Sequence, residues 1–291
     1  MSDCPRTCLI TGGSGYLGSE LAGFLRNSGW RVIAASRHPQ VEDSAVFSLG
    51  EEVPHDMFQG VDALIHCAYD FAPCNWKAIY QRNVIGTRQL LQQAKAAGVF
   101  IITVSSISAF PACKSYYGKA KLLIEEATFA VGGVVLRPGL IYGGSNRGIY
   151  GRLMKQVDGK KIIPLLTGSS CTLHLTHVED LANVIKGWLN GTWCAQASPW
   201  VVAHPEPWPL KKLLQAMAAS KGKRLLFVPV PWPPVWLGLR SLEALGLPMQ
   251  FKSDNLISIV NQDLHLDFHA VLNCGIPLRP FRPEDAGIKS H

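Results

Sequence analysis

The sequence predicts an α/β fold built on a doubly wound parallel sheet, with a smaller, partly discontinuous lobe formed by the C-terminal part of the chain. Three observations carry this reading. Strand-like and helix-like segments alternate through the first half. The strand-like segments are unbroken apolar runs rather than alternating ones, as in a parallel sheet covered on both faces. A glycine triplet, Gly12, Gly15 and Gly18, stands between the first strand and the first helix.

The elements follow in order. Thr7 to Thr11 is a short apolar strand. Tyr16 to Asn27 is a helix with Leu17, Leu21, Phe24 and Leu25 on one face. Arg31 to Ser36 is the second strand, and Val46 to Leu49 a short third. DALIHCA, Asp62 to Ala68, is a buried strand. Trp76 to Ala97 is a long helix ended by Gly98, and Val99 to Val104 a further apolar strand. SYYGKAKLLIEE, from Ser115, opens a helix reaching about Phe129, and Gly133 to Leu136 is one more strand. The second half is less regular, with helices expected at Gly148–Val157, Val178–Leu189, Leu210–Ser220 and Pro234–Leu245 and a strand at Trp200–His204. A dinucleotide-binding domain over 1–165 is expected, with the elements near 176–204 returning to it. A lobe over 166–291 is expected to take mainly substrate.

The glycine triplet suits a phosphate. Gly12 permits a tight turn, Gly15 lets a pyrophosphate approach the backbone, and Gly18 lets helix and strand pack closely. The helix N-terminus then offers free N–H groups and partial positive charge. This is the Rossmann-type arrangement. After the second strand the chain reads AASRHP, with Ser36 and Arg37 and no acid before Glu42. An acid would repel a 2′-phosphate, whereas an arginine grips it with charge-assisted bonds. NADP is therefore expected over NAD.

Composition narrows the function classes. The 291 residues are 47% hydrophobic and 17% charged, which is globular rather than disordered. The net charge is +7, yet like charges come only as pairs such as Lys160-Lys161 and Lys211-Lys212. No basic stripe marks nucleic acid; an anionic small ligand fits as well. The eight cysteines show no CxxC, so free thiols in a reducing cytoplasm are expected, with neither a metal site nor a disulfide framework. The start has too short an apolar run for a signal peptide. LLFVPVPWPPVWLGL, Leu225 to Leu239, holds four prolines and is too short to span a membrane. The protein therefore reads as soluble, with this segment a candidate contact with a partner or a lipid surface.

Tyr116, Tyr117, Lys119 and Lys121 crowd the helix that follows Ser115. Residues four apart share a helix face, and only Tyr117 and Lys121 make a tyrosine–lysine pair at that spacing. Ser105-Ser106-Ile107-Ser108 ends the preceding strand, at the carboxyl edge where ligands bind in open parallel sheets. Ser106 and Tyr117 can therefore converge over a cofactor. A free phenol has a pKa of roughly 10, and a nearby ammonium favours its ionised form.

Four separated motifs resemble the extended branch of the short-chain dehydrogenase/reductases, the epimerase/dehydratase group. They are TGGSGYLG, NVIGTRQLL from Asn83, Tyr117-Gly118-Lys119-Ala120-Lys121, and LRPGLIYG from Leu136. HVEDLA from His177 is similar to a helix start of the same branch. The resemblance implies roles. Tyr117 would exchange a proton with the substrate, and Lys121 would bind the nicotinamide ribose and depress the tyrosine pKa. Ser106 would orient the substrate oxygen, with Ser105 or Ser108 as lesser candidates, and Asn83 would organise the site. Cofactor contacts would come from Gly12, Gly15, Tyr16, Leu17, Gly18, Ser36, Arg37, Ala68, Tyr117, Lys121 and Pro138. It also implies that the helices at Trp76–Ala97 and Tyr116–Phe129 would pair in a homodimer.

Departures from the branch's pattern bear on the substrate. The connection from Ser106 to Tyr117 is short. Leu173-His174 replaces the Arg-Asp pair of many sugar-nucleotide enzymes, and Ile107-Ser108 the Asp-Glu pair of dehydratases. His174, His177, Glu179 and Asp180 read as the start of a packing helix, with Asp180 an anchor, and not as metal ligands. Arg147 and Arg152 could hold an anionic substrate group. The expectation is an NADP(H)-dependent oxidoreductase acting on a secondary alcohol or ketone. A sugar-nucleotide epimerase is the alternative within the class, and a non-catalytic NADP(H)-binding sensor or assembly subunit the alternative outside it.

Overall fold

The computed structural model describes residues 6–39, 43–145, 147–168, 171–193, 198–247, 249, 251–282 and 284. Cys4 and Glu42 lie outside the described residues. The first strand, β1 (Thr7–Thr11), is buried at every position. It runs through the glycine turn into α1 (Tyr16–Asn27), which buries Leu21 and Leu25. Next come β2 (Arg31–Ser36), β3 (Ser44–Val46) and β4 (Ala63–His66). The long helix is compound. α2 (Trp76–Ile79) passes through a π-helical turn at Tyr80–Ile85 into α3 (Gly86–Ala96). β5 (Phe100–Val104), α4 (Tyr116–Ala130) and β6 (Val134–Pro138) complete the alternation.

The strands form one parallel seven-stranded sheet in the order β11-β6-β5-β4-β1-β2-β3. The third strand begins two residues earlier than expected, because Ser44–Val46 pairs in register with Ala34–Ser36 of β2. Phe47 then donates its N–H to the Ser36 carbonyl and turns its ring into the core.

Beyond β6 come β7 (Leu140–Tyr142), α5 (Gly148–Gly159), β8 (Ile162–Thr167), β9 (Thr172–Leu173), β10 (Leu175–His177) and α6 (Val178–Leu189). β11 (Trp200–Val202) pairs with β6 and returns to the central sheet. β12 (Trp208–Pro209), α7 (Leu210–Ala219), β13 (Leu226–Pro231), α8 (Trp232–Ala244), α9 (Ser253–Val260) and α10 (His269–Asn273) follow. Two cores sandwich the sheet. Leu21, Leu25, Leu181, Ile185 and Trp200 fill one face, and Leu9, Phe47, Leu64, Leu90 and Leu91 the other. A third core, around Tyr142, Tyr150, Met154, Leu213 and Phe281, belongs to the C-terminal part.

Sequence patterning did not reveal the short pairs β7–β10, β9–β12 and β8–β13, nor α9 and α10. The two- and three-residue strands β7, β9, β10 and β12 show no periodicity, and the six-residue β8 and β13 are interrupted by prolines. Their register comes from long-range partners, as when Leu140 donates to the His174 carbonyl.

Candidate active site

The glycine turn has the form that a phosphate cradle needs. Gly12 takes φ 74°, a conformation open to glycine and strained for other residues. A Cβ on Gly18 would run into the Gly12 carbonyl oxygen. Helix α1 starts at Gly15 with no side chain capping it, so its first N–H groups face outward at the carboxyl edge of β1. Tyr16 and Leu17 lie in this first turn, and the Tyr16 hydroxyl donates to the Gly143 carbonyl at 2.6 Å. Ser36 at the end of β2 is buried, with its Oγ unpartnered. An uncapped helix start and an orphaned hydroxyl on adjacent strands fit a dinucleotide's pyrophosphate and ribose.

Arg37 is exposed beside that hydroxyl. It shares its surroundings with Asp70 and Arg82, which are paired at 2.8 Å. Burial pushes the Asp70 carboxyl up, but the Arg82 hydrogen bond, the Ala72 N–H and the charges of Arg82 and Arg37 outweigh it, so Asp70 sits below the usual range. Asn83, fully buried in the π-helical turn, accepts from the Asp70 N–H at 2.7 Å and donates to the Asp70 carbonyl at 3.1 Å. The extra residue of the π turn aims Asn83 inward, where it fixes the loop that follows β4. Gly86 in the same motif has no room for a Cβ, which would strike the Gly50 backbone.

Ser106 and Tyr117 converge. The Ser106 hydroxyl faces the half-buried Tyr117 phenol and accepts from the Ser108 N–H at 3.1 Å. Ser105 is turned away and donates to Glu125 at 2.5 Å. Ser108 contributes its backbone. Ala68 lies against Gly12, and the Pro138 carbonyl accepts from the Ile107 N–H. Lys121 is 3% exposed and donates to the Val104 carbonyl at 2.9 Å. Tyr116 packs on Trp76 instead.

The electrostatics differ from the expectation that Lys121 depresses the Tyr117 pKa. Burial raises the Tyr117 phenol to about 12, with the Ser106 bond opposing and the Glu125 charge adding. The ammonium is held by the Val104 carbonyl at the strand end, near His66 and Cys67. Burial also lowers Lys121 to about 8, opposed by Cys67 and Glu125. A lysine depressed when folded binds fewer protons than in the unfolded chain above pH 8. Its charge-burial cost is thus full below pH 8 and is relieved as pH rises toward 10.5. Lys121→Met is expected to stabilise the cofactor-free protein by up to about 3 kcal/mol at pH 7. That advantage shrinks through pH 8 to 10, as read by urea denaturation of both proteins at each pH. An advantage independent of pH refutes the assignment.

Several site residues carried no sequence signal that was used. His66 in β4 bridges Thr11 (2.7 Å) and Thr87 (3.0 Å), and burial, reinforced by Lys121, pulls it down to about 3, so it is neutral. Tyr69 and Phe71 follow β4 and pack around the Tyr117 ring. The Tyr69 ring lies 5.0 Å from Tyr117 and Phe71 5.9 Å from it, and Lys121 Nζ is 5.3 Å from the Tyr69 ring. Their position at the carboxyl end of a central strand was a usable signal. Asp254 had none. From α9 its carboxylate accepts from the Tyr116 N–H at 2.6 Å and the Tyr117 N–H at 3.0 Å. The neighbouring Lys252 ties down the carbonyls of Phe71, Ala72 and Pro73.

The other candidates are structural. Asp180 accepts from the Arg279 backbone and Nε, and Glu179 pairs with Arg279. His177 caps α6, and His174 bonds the His204 carbonyl. No group of three potential metal ligands occurs among the described residues. Arg147 is held by Ser19 and Ser145 on α1 and its own loop, and Arg152 is exposed on α5. No helix among the described residues is long and apolar enough to cross a membrane.

Comparison with known proteins places this geometry. Residues 8–190 match the sequence pattern of the NAD dependent epimerase/dehydratase family. The chain is 30% identical to the ceramide reductase of Caulobacter vibrioides over 192 residues, 62% of this chain and 60% of that protein's length. It is 24% identical to the 2-alkyl-3-oxoalkanoate reductase of Stenotrophomonas maltophilia over 250 residues, 74% and 75% of the two chains. Among solved structures, a short-chain dehydrogenase/reductase superfamily protein from Agrobacterium tumefaciens with bound NAD superposes with a TM-score of 0.65 at 22% identity, covering 87% and 95%. Other neighbours in fold include sugar-nucleotide epimerases. At such identities the structural likeness speaks to the fold alone.

Proposed function

This chain belongs to the NAD dependent epimerase/dehydratase family, a family of nicotinamide-dependent enzymes, and on that premise we propose that it is an NADP(H)-dependent reductase of an apolar ketone. The nicotinamide, when bound, supplies the hydride. The chain's residues do the rest. Gly12, Gly15, Gly18 and the start of α1, with Tyr16 and Leu17, hold the pyrophosphate. Ser36 and Arg37 take the adenosine ribose and its 2′-phosphate. Ala68 and Pro138 line the path to the nicotinamide, and Lys121 binds its ribose. Ser106 orients the substrate oxygen, and Asn83 holds the loop over the cleft. Tyr117 passes its O–H proton to that oxygen as negative charge develops there.

The observation that carries this reading is the meeting of the Ser106 and Tyr117 hydroxyls at the carboxyl edge of β5, one helical turn before Lys121. A phenol there is protonated at neutral pH and placed to give its proton to a substrate oxygen. Tyr69 and Phe71 offer an aromatic wall to an apolar substrate, and the names of the two reductase relatives agree with such a class. A sugar diphosphate finds less support, since Arg147 is engaged within its own loop and on Ser19. The domain boundary near residue 165, a homodimer through the Trp76–Ala97 and Tyr116–Phe129 helices, and a cytoplasmic home for the free thiols belong to the same reading.

NADPH oxidation with long-chain ketones and 3-oxo esters, against UDP-hexoses, tests the substrate class. Turnover of UDP-hexoses alone refutes it. For the cofactor, Arg37→Ala is expected to weaken NADPH roughly 10- to 100-fold, the worth of a charge-assisted hydrogen bond or two, and to leave NADH within about twofold. Equal losses for both refute the 2′-phosphate role.

A further inference from the structure

β8 and β13 form a two-stranded parallel ribbon that pairs Ile162 with Leu226, Pro164 with Val228 and Leu166 with Val230. Side chains alternate along strands, so these six share one face. Ile163 and Phe227 face the other way, into the C-terminal core. The part of this face nearer the strand starts is bare, with Ile162, Leu226 and Val228 54%, 68% and 47% exposed, whereas Leu166 and Val230 are half-buried. Helix α8 leaves the end of β13 directly and has no buried residue, with Leu237 and Leu242 exposed.

The opposite end of the ribbon is basic. Lys160 and Lys161 lead into β8, and Lys221, Lys223 and Arg224 lead into β13, all of them exposed. One carboxylate, Asp158, sits among them and is taken up by Lys221 and Lys223. Lys160, Lys161 and Arg224 form no ion pair among the described residues.

We propose that this face seats the protein on an anionic lipid surface, its apolar ribbon in the interface and its cations on the headgroups. Apolar area beside unpaired cations is what binding to such a surface rewards. A second copy docked about a two-fold axis along the strands would set the same cations against each other. Added strands are discouraged because Pro164, Pro229 and Pro231 lack an N–H for pairing.

Flotation of the full chain with phosphatidylcholine vesicles, with and without phosphatidylserine, tests this. Binding is expected only with phosphatidylserine and is expected to weaken with salt. Lys160→Gln, Lys161→Gln and Arg224→Gln together are expected to lower it roughly a hundredfold, at about fivefold per cation. Leu226→Asp with Val228→Asp is expected to abolish it while circular dichroism and NADPH titration stay unchanged. If that pair perturbs the fold, the glutamine set decides. Three results overturn the proposal: no binding to the anionic vesicles, binding undiminished in the variants, or a dimer in solution dispersed by Leu226→Asp.

Discussion

Tyr117→Phe is expected to lower kcat about a thousandfold, within the range of 10² to 10⁴ typical of a positioned proton donor, and to leave the dinucleotide Kd within about twofold. The substitution removes one oxygen. Its ring still packs against Tyr69 and Phe71, and its backbone N–H still meets Asp254. What disappears is the hydroxyl that faces Ser106 and, on the proposed reading, the proton destined for the substrate oxygen. Steady-state kinetics on whichever ketone is turned over, paired with fluorescence titration of NADPH, separates the two quantities. An unchanged kcat would remove Tyr117 from the chemistry while leaving the binding protein intact. Loss of binding together with activity would show that the ring is structural.

The second large effect is on stability. Glu125 on α4 is held by Arg137 of β6 through two bonds, at 2.9 and 2.6 Å, and their side chains are only 4% and 14% exposed. Arg137→Met leaves a carboxylate in the interior with little but the Ser105 hydroxyl. Breaking such a pair from one side costs roughly 3–5 kcal/mol, a large part of the 5–15 kcal/mol typical of a domain. The urea midpoint is expected to fall accordingly. Adding Glu125→Leu to Arg137→Met is expected to recover most of the loss, because a buried pair replaced by apolar groups is close to neutral. A midpoint unchanged in the single variant, or a double variant no better than the single, contradicts this account.

The sheet and the cofactor turn were largely legible because they are local. The bounds of β1, α1, β2 and α6 follow from apolar runs, one helical stripe and flanking turn residues. The pairing of Tyr117 with Ser106 followed from spacing and from the strand end that bears Ser106. The π turn was not legible, since its sequence reads as ordinary helix and only the docking of Asn83 onto Asp70 reveals it. Nor was the direction of the Tyr117 shift. Spacing put Lys121 on the right face but gave neither the depth of burial nor the carbonyl that claims its ammonium. Asp254, 137 residues from Tyr117, is a partner that only tertiary structure supplies.

The first turn of the helix bearing the phenol is fastened by a carboxylate from the far end of the chain, and Lys252 pins the aromatic loop beside it. A displacement of α9 would therefore loosen the helix start and the aromatic loop together.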